Sequence, residues 1–566
     1  MRMDFGLPEI PCMVSVIAEF LYCGVKMVSS KHRISFEKRQ FLVGSLALGL
    51  TLTTGLATGA SAQSVAFKQA VAVAAAKDKD VLEFYKARDF LPIWTSTTDT
   101  DRRRAFIEAA AKSGDHALPR GYYDAQELKK SFQQISSAKA LGYLEVQTTQ
   151  KFLLYAQHIQ SGILEPRKLD RELDIVTPRK DRQKILEAFA KSNPRAFIRA
   201  LPPQHPDYAR LMKEKVRLEK VLGQGGWGPK IGRKSLKPGQ KSKHVAVMRA
   251  RLTAMGYKRL GMSNEFDEDL QKTVALFQAD HGLNEDGVAG SATIDAMNVS
   301  AQKRLEQVIV GLERQRWLNK PRGKRHIFVN QADFRVFIVD DGRVTFNSRV
   351  VVGKETRFRT PEFSHEMTHM VINPTWHIPK SIARNEYLPM LKKNRNALAR
   401  LGFNMFDATG RQIDSTKLDY SRYSAKNFPF DLKQPPSTRN ALGLVKFMFP
   451  NRHNIYLHDT PTKNLFTRDL RAYSHGCVRV QKPFEFAYAL LSPQSSNPKK
   501  EFQDVLAAGE EAQVDLVKPV PIHLAYHTAW VTPQGRSNFR KDTYGRDKKV
   551  FSWLQKSGVV LRAVQG

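Results

Sequence analysis

The residues with the clearest capacity for chemistry lie between Ile455 and Val480, where histidine, glycine and cysteine are close in sequence. His458 precedes Cys477 by nineteen positions, and the segment that contains Cys477 reads Ser-His-Gly-Cys-Val-Arg-Val. Acyl transfer needs a nucleophile, a base that activates it and donors for the developing oxyanion. We therefore expect Cys477 to be a nucleophile and His458 to be its base.

The neighbours of Cys477 suggest how the thiol would be activated. A free thiol is only about 3% ionised at pH 7, so we expect a positively charged His458 to lower the pKa of Cys477 towards about 7. Gly476 permits a tight turn that directs the Cys477 N–H, with the Gly476 or His475 N–H, at an oxyanion. His475 would orient the loop or tune the thiolate. Asp459 or a backbone carbonyl would hold the His458 ring.

Two other interpretations of these residues remain open at this stage. A structural zinc site would use His453, His458, His475 and Cys477, but the sequence has no C-x-x-C or H-x-x-x-H spacing there. Cys477 could also be a buried structural thiol, although Gly476 and the polar residues before it favour an accessible loop. We predict no metal and no cofactor.

The spacing of these residues resembles that of a known family. His458, fifteen intervening residues and the segment from Ser474 to Arg479 resemble the active-site motif of L,D-transpeptidases of the YkuD type. Residues 373–379 (Asn-Pro-Thr-Trp-His-Ile-Pro) and 443–447 (Gly-Leu-Val-Lys-Phe) are similar to the larger periplasmic members. His377 departs from the pattern, because asparagine is commoner there.

The resemblance implies a peptidoglycan L,D-transpeptidase. Cys477 would attack the L-centre of a diamino acid in a tetrapeptide stem, release D-Ala and form a thioester. An amine of a second stem would then give a 3–3 cross-link. Outer-membrane proteins or lipoproteins are alternative acceptors, water would give carboxypeptidase activity, and carbapenems are implied as inhibitors. The implied substrate-binding or oxyanion residues are Tyr456, Ser474, Arg479, Asp459, Trp376 and Asn373, and core packing is the alternative role of Trp376.

The chain of 566 residues divides into segments of different periodicity, which predict a multidomain α+β protein. Residues 63–230 carry helical patterns and form the expected scaffold domain. Residues 231–300 predict a three-helix unit whose Phe277-Gln278 and Asp286–Gly290 elements resemble a peptidoglycan-binding module. A connecting helix is expected at 301–323.

From residue 324 to about 535 the period changes to that of strands, which predicts a mainly β catalytic domain. Asp341-Gly342 predicts a hairpin turn between two of its strands. A polar insertion at about 382–438 is either a capping lid or a surface elaboration. Residues 536–566 form a basic C-terminal tail without an assigned role, and a solvated face is one interpretation of it.

The first 62 residues resemble a cleaved export signal. Basic residues precede an apolar run from Phe41 to Leu56, and Ala60-Ser61-Ala62 fits a signal-peptidase site. Met27 would give a signal of ordinary length, and an uncleaved membrane anchor is the alternative. Cleavage would leave Cys477 as the lone cysteine of a periplasmic protein.

The net charge of +35, about +33 after removal of residues 1–62, indicates an anionic partner. Export makes nucleic acid an improbable partner and peptidoglycan stem peptides the expected one. A cysteine endopeptidase of the wall and a non-enzymatic wall-tethering protein are the other functions that we considered.

Overall fold

The computed structural model describes residues 55–562, so the predicted presequence up to residue 54 lies outside the described residues. Residues 60–566 form one compact unit. Within residues 55–562, no helix is both long and apolar enough to cross a bilayer.

Helices dominate the first half of the described chain. They are α1 (Gly55–Ala75), α2 (Lys79–Lys86), α3 (Thr100–Ala111), α4 (Ala125–Gln134), α5 (Ala138–Ser161), α6 (Pro166–Leu169), α7 (Arg182–Lys191), α8 (Pro194–Arg199), α9 (Pro206–Gly223), α10 (Lys243–Met255), α11 (Glu268–His281), α12 (Ser291–Asn298) and α13 (Ala301–Trp317). Polar residues cap several of them, as Ser137 does for α5 and Asp267 for α11, because their oxygens accept the free N–H groups of the first turn.

The N-terminal helices share one apolar core centred on aromatic side chains. Trp94 is fully buried against Phe106, Phe152 and Phe189, with ring centroids 5.2–5.6 Å from its own. The carboxylate of Glu145 accepts the backbone N–H groups of Ile93 at 2.7 Å and of Thr95 at 3.0 Å, which closes the loop that carries Trp94. These buried groups stabilise the helical region as a single unit.

Helices α10, α11 and α12 form the predicted three-helix unit. Val245, Met248 and Phe277 belong to its separate apolar core. Gly256 and Gly282 end α10 and α11 in the left-handed conformation, which glycine adopts without strain.

The second half contains fifteen strands and six further helices. The strands are β1 (Arg325–Asn330), β2 (Arg335–Asp340), β3 (Arg343–Gly353), β4 (Phe363–Ile372), β5 (Trp376–His377), β6 (Asn404–Phe406), β7 (Gln412–Ile413), β8 (Asp431–Gln434), β9 (Val445–Met448), β10 (Leu457–His458), β11 (Ala472–Ser474), β12 (Val478–Val480), β13 (Ala512–Ala525), β14 (Ala529–Val531) and β15 (Ser537–Phe539). The helices are α14 (Lys380–Ile382), α15 (Leu388–Lys393), α16 (Ala397–Arg400), α17 (Pro483–Leu491), α18 (Pro498–Ala507) and α19 (Arg546–Lys556).

Nine of these strands form one sheet that closes on itself. Their order is β11-β3-β12-β10-β9-β4-β13-β1-β2, and β2 also pairs with β3. Asp341 and Gly342 both have positive φ, so the predicted Asp-Gly hairpin turn between β2 and β3 is confirmed. Closure gives the catalytic region a rigid apolar centre in which Val350, Phe447 and Leu457 are fully buried.

The insertion is a small subdomain rather than a loop. Strands β5, β8, β6 and β7 form its own sheet, and helices α14 to α16 cover an apolar core that includes Leu398 and Phe428. The subdomain starts at Trp376, earlier in the chain than residue 382.

The C-terminal tail is folded, so its interpretation as a solvated face is wrong. Val550 and Leu554 of α19 are buried in the same apolar cluster as Leu305 and Leu312 of α13. Arg546 at the start of α19 is 1% exposed and binds Glu362 at 3.2 Å. At least one basic residue of this segment, Arg546, therefore stabilises the fold rather than facing solvent.

Candidate active site

Strands β10 and β12 bring the sequence motif together. They pair in parallel, with Leu457 opposite Val478 and His458 opposite Arg479. Side chains alternate across a strand, so Leu457 and Val478 enter the barrel core while His458 and Arg479 share the opposite face. The Val478 N–H donates to the Tyr456 carbonyl at 3.1 Å, which places Tyr456 beside Cys477 on that same face.

The loop before Cys477 is fixed by side-chain bonds to its own backbone. Ser474 Oγ donates to the Cys477 carbonyl at 2.5 Å and accepts the Gly476 N–H at 3.1 Å. Gly476 has a φ of +115°, and a Cβ there would lie 3.1 Å from Ile455 Cδ1. The Gly476 N–H is thus already used, which corrects its expected role at the oxyanion. The N–H groups of His475 and Cys477 have no acceptor within residues 55–562 and remain free for that role.

The thiol of Cys477 is not ionised in this structure. Burial raises its pKa to about 11, although the Tyr456 backbone N–H, the Tyr456 hydroxyl and the charge of Arg479 all act to lower it. The expectation of a pKa near 7 is therefore wrong for the resting site, because desolvation destabilises the thiolate more than the neighbouring groups stabilise it. Cys477 is nevertheless only partly buried, and its Sγ donates to the Asn454 carbonyl at 3.7 Å.

His458 is a buried neutral imidazole. Burial and the nearby charge of Arg479 lower its pKa to about 3. Its Nδ1 donates to the Asp459 carbonyl at 2.5 Å, so Nε2 carries the free lone pair. Of the two expected partners, the backbone carbonyl of Asp459 holds the ring, and the predicted imidazolium is replaced by a neutral base.

The structure does not join Cys477 and His458 by a hydrogen bond. The Tyr456 ring instead packs edge-on against His458, with centroids 5.7 Å apart, and its hydroxyl lies near enough to the Cys477 thiol to lower the thiol pKa. Burial raises the pKa of Tyr456 well above its ordinary value, so the hydroxyl keeps its proton. Trp376 lies near the same hydroxyl and acts to lower its pKa, which places the indole at the site.

Arg479 is the cation of this face. Burial lowers its pKa, and within the described chain it makes no ion pair or side-chain hydrogen bond. Its Nε is buried without a partner. A guanidinium in this state can take up a carboxylate from a ligand.

His475 contacts the insertion rather than the thiol. Its Nε2 lies 2.5 Å from Glu386 Oε1, and its ring lies 4.5 Å from that of Phe358. The predicted role of orienting the loop is consistent with these contacts.

Two predicted residues have other contacts. The Asn373 side chain donates to the Leu506 carbonyl at 3.0 Å, and the Asp459 carboxylate binds Lys463 and the Leu444 N–H. A Cβ on Gly443 would lie 2.2 Å from Asp459 Oδ2, so this glycine is required for the packing. Both side chains therefore brace the surrounding loops.

The four residues of the alternative zinc site do not form one cluster. His453 binds Asp174 at 2.7 Å, while His475 binds Glu386. Among residues 55–562, no group of three or more His, Cys, Asp or Glu side chains is arranged to hold a metal ion.

Sequence reasoning missed two residues that fix the cysteine loop. Thr360 Oγ1 donates to the Gly476 carbonyl at 2.6 Å and accepts the Gly353 N–H at 2.9 Å. Asn454, with a φ of +53°, supplies the carbonyl that accepts the thiol proton. The local signal in the sequence is the asparagine itself, because Asn adopts positive φ more readily than most residues. Thr360 lies 117 positions from Cys477 and gives no such signal.

Comparison with protein families identifies the parts of the chain. Residues 324–498 match the L,D-transpeptidase catalytic domain, residues 79–214 match the Scaffold domain, and residues 241–297 match a peptidoglycan binding domain. The chain thus contains an L,D-transpeptidase catalytic domain of the YkuD type behind a helical scaffold and a three-helix module. The multidomain α+β prediction is confirmed.

Individual relatives are more distant. A Haemophilus influenzae protein, provisionally named as an L,D-transpeptidase, is 33% identical over 224 residues, which are 40% of this chain and 45% of the relative. The match therefore spans less than half of that curated relative. An L,D-transpeptidase structure from Xylanimonas cellulosilytica is 14% identical, covers 53% of this chain and 100% of its own, and has a TM-score of 0.16. The corresponding values for one from Stackebrandtia nassauensis are 13%, 53%, 97% and 0.21.

Proposed function

We propose that this protein is a peptidoglycan L,D-transpeptidase with Cys477 as its nucleophile. The observation that carries the proposal is the placement of Cys477, Tyr456, His458 and Arg479 on one face of paired strands within the matched catalytic domain. This face offers a thiol, a neutral base and an unpaired cation side by side.

The first half-reaction forms a thioester. As Sγ attacks the carbonyl of the L-centre in a tetrapeptide stem, its proton passes to Nε2 of His458. The Cys477 and His475 N–H groups then stabilise the oxyanion. The protonated His458 returns the proton to the amine of the departing D-Ala. Because ring and sulfur are not hydrogen-bonded in the resting site, substrate binding must bring them together, as is common for apo sites.

The second half-reaction transfers the acyl group. An acceptor amine attacks the thioester, gives its proton to His458 and releases the thiolate, which is then reprotonated. A second stem gives a 3–3 cross-link, a protein amine would attach that protein to the wall, and water gives the tripeptide. Arg479 would pair a stem carboxylate and so select the donor.

Two features suit a polyanionic wall substrate. The peptidoglycan-binding domain at 241–297 provides a docking module beside the catalytic domain. The net charge of +35 attracts the carboxylates of stem peptides, and salt weakens this attraction. Periplasmic location in the cell envelope follows from these targets, and export by the predicted signal is part of the proposal.

The test is the incubation of the purified full chain with tetrapeptide muropeptides. We expect D-Ala release and dimers with 3–3 linkage, and a carbapenem should add its mass to the tryptic peptide 472–479. Cys477→Ala should abolish all three signals. D-Ala release by Cys477→Ala would contradict the proposal.

A further inference from the structure

A segment of the scaffold region runs along the catalytic domain next to the cysteine loop. Leu173 forms a parallel bridge with Glu362, and the Glu362 N–H donates to the Glu172 carbonyl at 2.7 Å. The Glu172 carboxylate binds Arg359 at 2.9 Å and Arg546 at 3.1 Å. Residues 172–174 thus lie against the segment that contains Thr360, joined to it by this single bridge and by the Arg359 ion pair.

The segment that contains Thr360 contacts one side of the cysteine loop. Thr360 lies between the two residues that contact the scaffold, and its hydroxyl donates to the Gly476 carbonyl at 2.6 Å. Gly476 is the immediate neighbour of Cys477. Thr360 therefore links residues 172–174 of the scaffold region to the residue next to Cys477.

The other side of the cysteine loop is connected to Asp174 through residues 452–454. Its side chain is 8% exposed and takes three cationic or polar partners: His453 Nε2 at 2.7 Å, Arg452 at 2.5 Å and Arg167 at 2.6 Å. Burial alone would raise the pKa of Asp174, but the bonds from these three side chains lower it, so the carboxylate is charged. Asp174 therefore joins the scaffold region to residues 452 and 453 by charge-assisted hydrogen bonds, which are the strong kind.

Residues 451–455 form a stiff turn that ends at the thiol. The Asn451 side chain bonds the Phe449 and Ile455 carbonyls at 2.6 and 2.7 Å and accepts the His453 N–H at 3.0 Å. Asn454 is in the left-handed region with a φ of +53°, and its carbonyl accepts the Cys477 thiol at 3.7 Å. Because these bonds hold the turn rigid, the contact of Asp174 with residues 452 and 453 also fixes the position of the Asn454 carbonyl.

We propose that Asp174 is a positioning residue for Cys477: the scaffold region holds the 451–455 turn through this carboxylate and so fixes the position of the thiol. The inference rests on the proposed function only in naming Cys477 as the nucleophile. It gives the scaffold region a direct part in catalysis, because misplacement of a reacting atom by about 1 Å can cost up to about 100-fold in rate.

The variants are Asp174→Asn, which keeps shape and loses charge, and Asp174→Glu, which keeps charge. Asp207→Asn is the matched control, since Asp207 is also a scaffold carboxylate held by one histidine and one arginine, His205 and Arg210. For each we would measure iodoacetamide alkylation of Cys477 by mass spectrometry and steady-state turnover of tetrapeptide stems.

Asp174→Asn should lower kcat by about tenfold with KM within about twofold, while alkylation becomes about threefold faster because the freed turn exposes the sulfur. Asp174→Glu should recover most of kcat, and Asp207→Asn should match wild type. A merely destabilised protein would also expose the sulfur, so the free energy of unfolding of each variant is measured in urea. The same pattern in a variant whose free energy of unfolding has fallen below that of wild type would count against the inference. His453→Gln breaks the same link from the catalytic side and should reproduce the pattern if Asp174→Asn fails to fold.

Wild-type alkylation and kcat in both Asp174→Asn and His453→Gln would overturn the inference. The alkylation measurement requires no peptidoglycan. If the wild-type chain shows no transpeptidation, the proposed function fails, and the response of Cys477 alkylation to Asp174 still decides the positioning role.

Discussion

The hydroxyl of Tyr456 should control how readily Cys477 ionises. It is one of three groups that lower the pKa of the thiol against the effect of burial, and the others are the Tyr456 backbone N–H and Arg479. Because the pKa of Tyr456 is itself well above its ordinary range, the hydroxyl remains a donor to the sulfur. Tyr456→Phe removes this donor while it keeps the ring that packs on His458.

The magnitude follows from the strength of a hydrogen bond to a charged group. Such a bond contributes about 1.5–3 kcal/mol, which corresponds to about one to two pKa units. Nucleophilicity rises with thiol pKa, with a Brønsted coefficient of about 0.4–0.5, and offsets nearly half of the loss of thiolate. The rate of alkylation of Cys477 at pH 8 should therefore fall by about 3- to 13-fold.

The assay is the pH dependence of iodoacetamide alkylation, followed on the tryptic peptide 472–479. Tyr473→Phe is the control, because its hydroxyl lies on the same segment but accepts from Arg468 at 3.1 Å. The reasoning is refuted if Tyr456→Phe and wild type alkylate at the same rate, or if both tyrosine variants slow alike.

Two other perturbations follow from the same face. Arg479→Gln should raise KM for carboxylate-bearing stems by about 10- to 100-fold, since it removes an unpaired guanidinium, and should leave binding of the amidated stem unchanged; an equal KM for both proteins would contradict this. His458 has its pKa lowered from 6.5 to about 3, so folding excludes a proton that the unfolded chain binds, and stability is lost as pH falls below 6.5. The free energy of unfolding of wild type relative to His458→Gln, measured in urea, should fall by about 2.7 kcal/mol from pH 7.5 to pH 4.5. An unchanged difference would exclude a neutral buried ring.

The parts of the fold that sequence predicts are those set by local periodicity and turn chemistry. Helices α10 to α12 follow from apolar spacing and glycine C-caps, and β2 and β3 follow from alternation around Asp341-Gly342. Closure of the sheet could not be predicted, because it depends on pairing between β13 and β4, far apart along the chain. The fourteen-residue β13 was not identified at all, since exposed and buried positions are mixed along it.

At the site, the closeness of His458 and Cys477 was predictable from sequence, and their charge state was not. The spacing of His458 and Cys477 indicates the chemistry, and their placement on paired strands follows it. Their pKa values depend on burial and on Tyr456 and Arg479, which no local pattern reports. The same holds for Asp174, whose contact with His453 spans 279 positions.

The insertion is more than a surface elaboration, because it contacts the catalytic loop from two directions. Glu386 binds His475, whose N–H is the proposed oxyanion donor, and Trp376 lies near the Tyr456 hydroxyl that lowers the pKa of Cys477. Any shift of this subdomain must therefore alter both the donor and the nucleophile. Burial is the largest cause of the raised thiol pKa. Under the proposed function, we therefore expect Cys477 to ionise as the donor peptide enters and displaces these contacts.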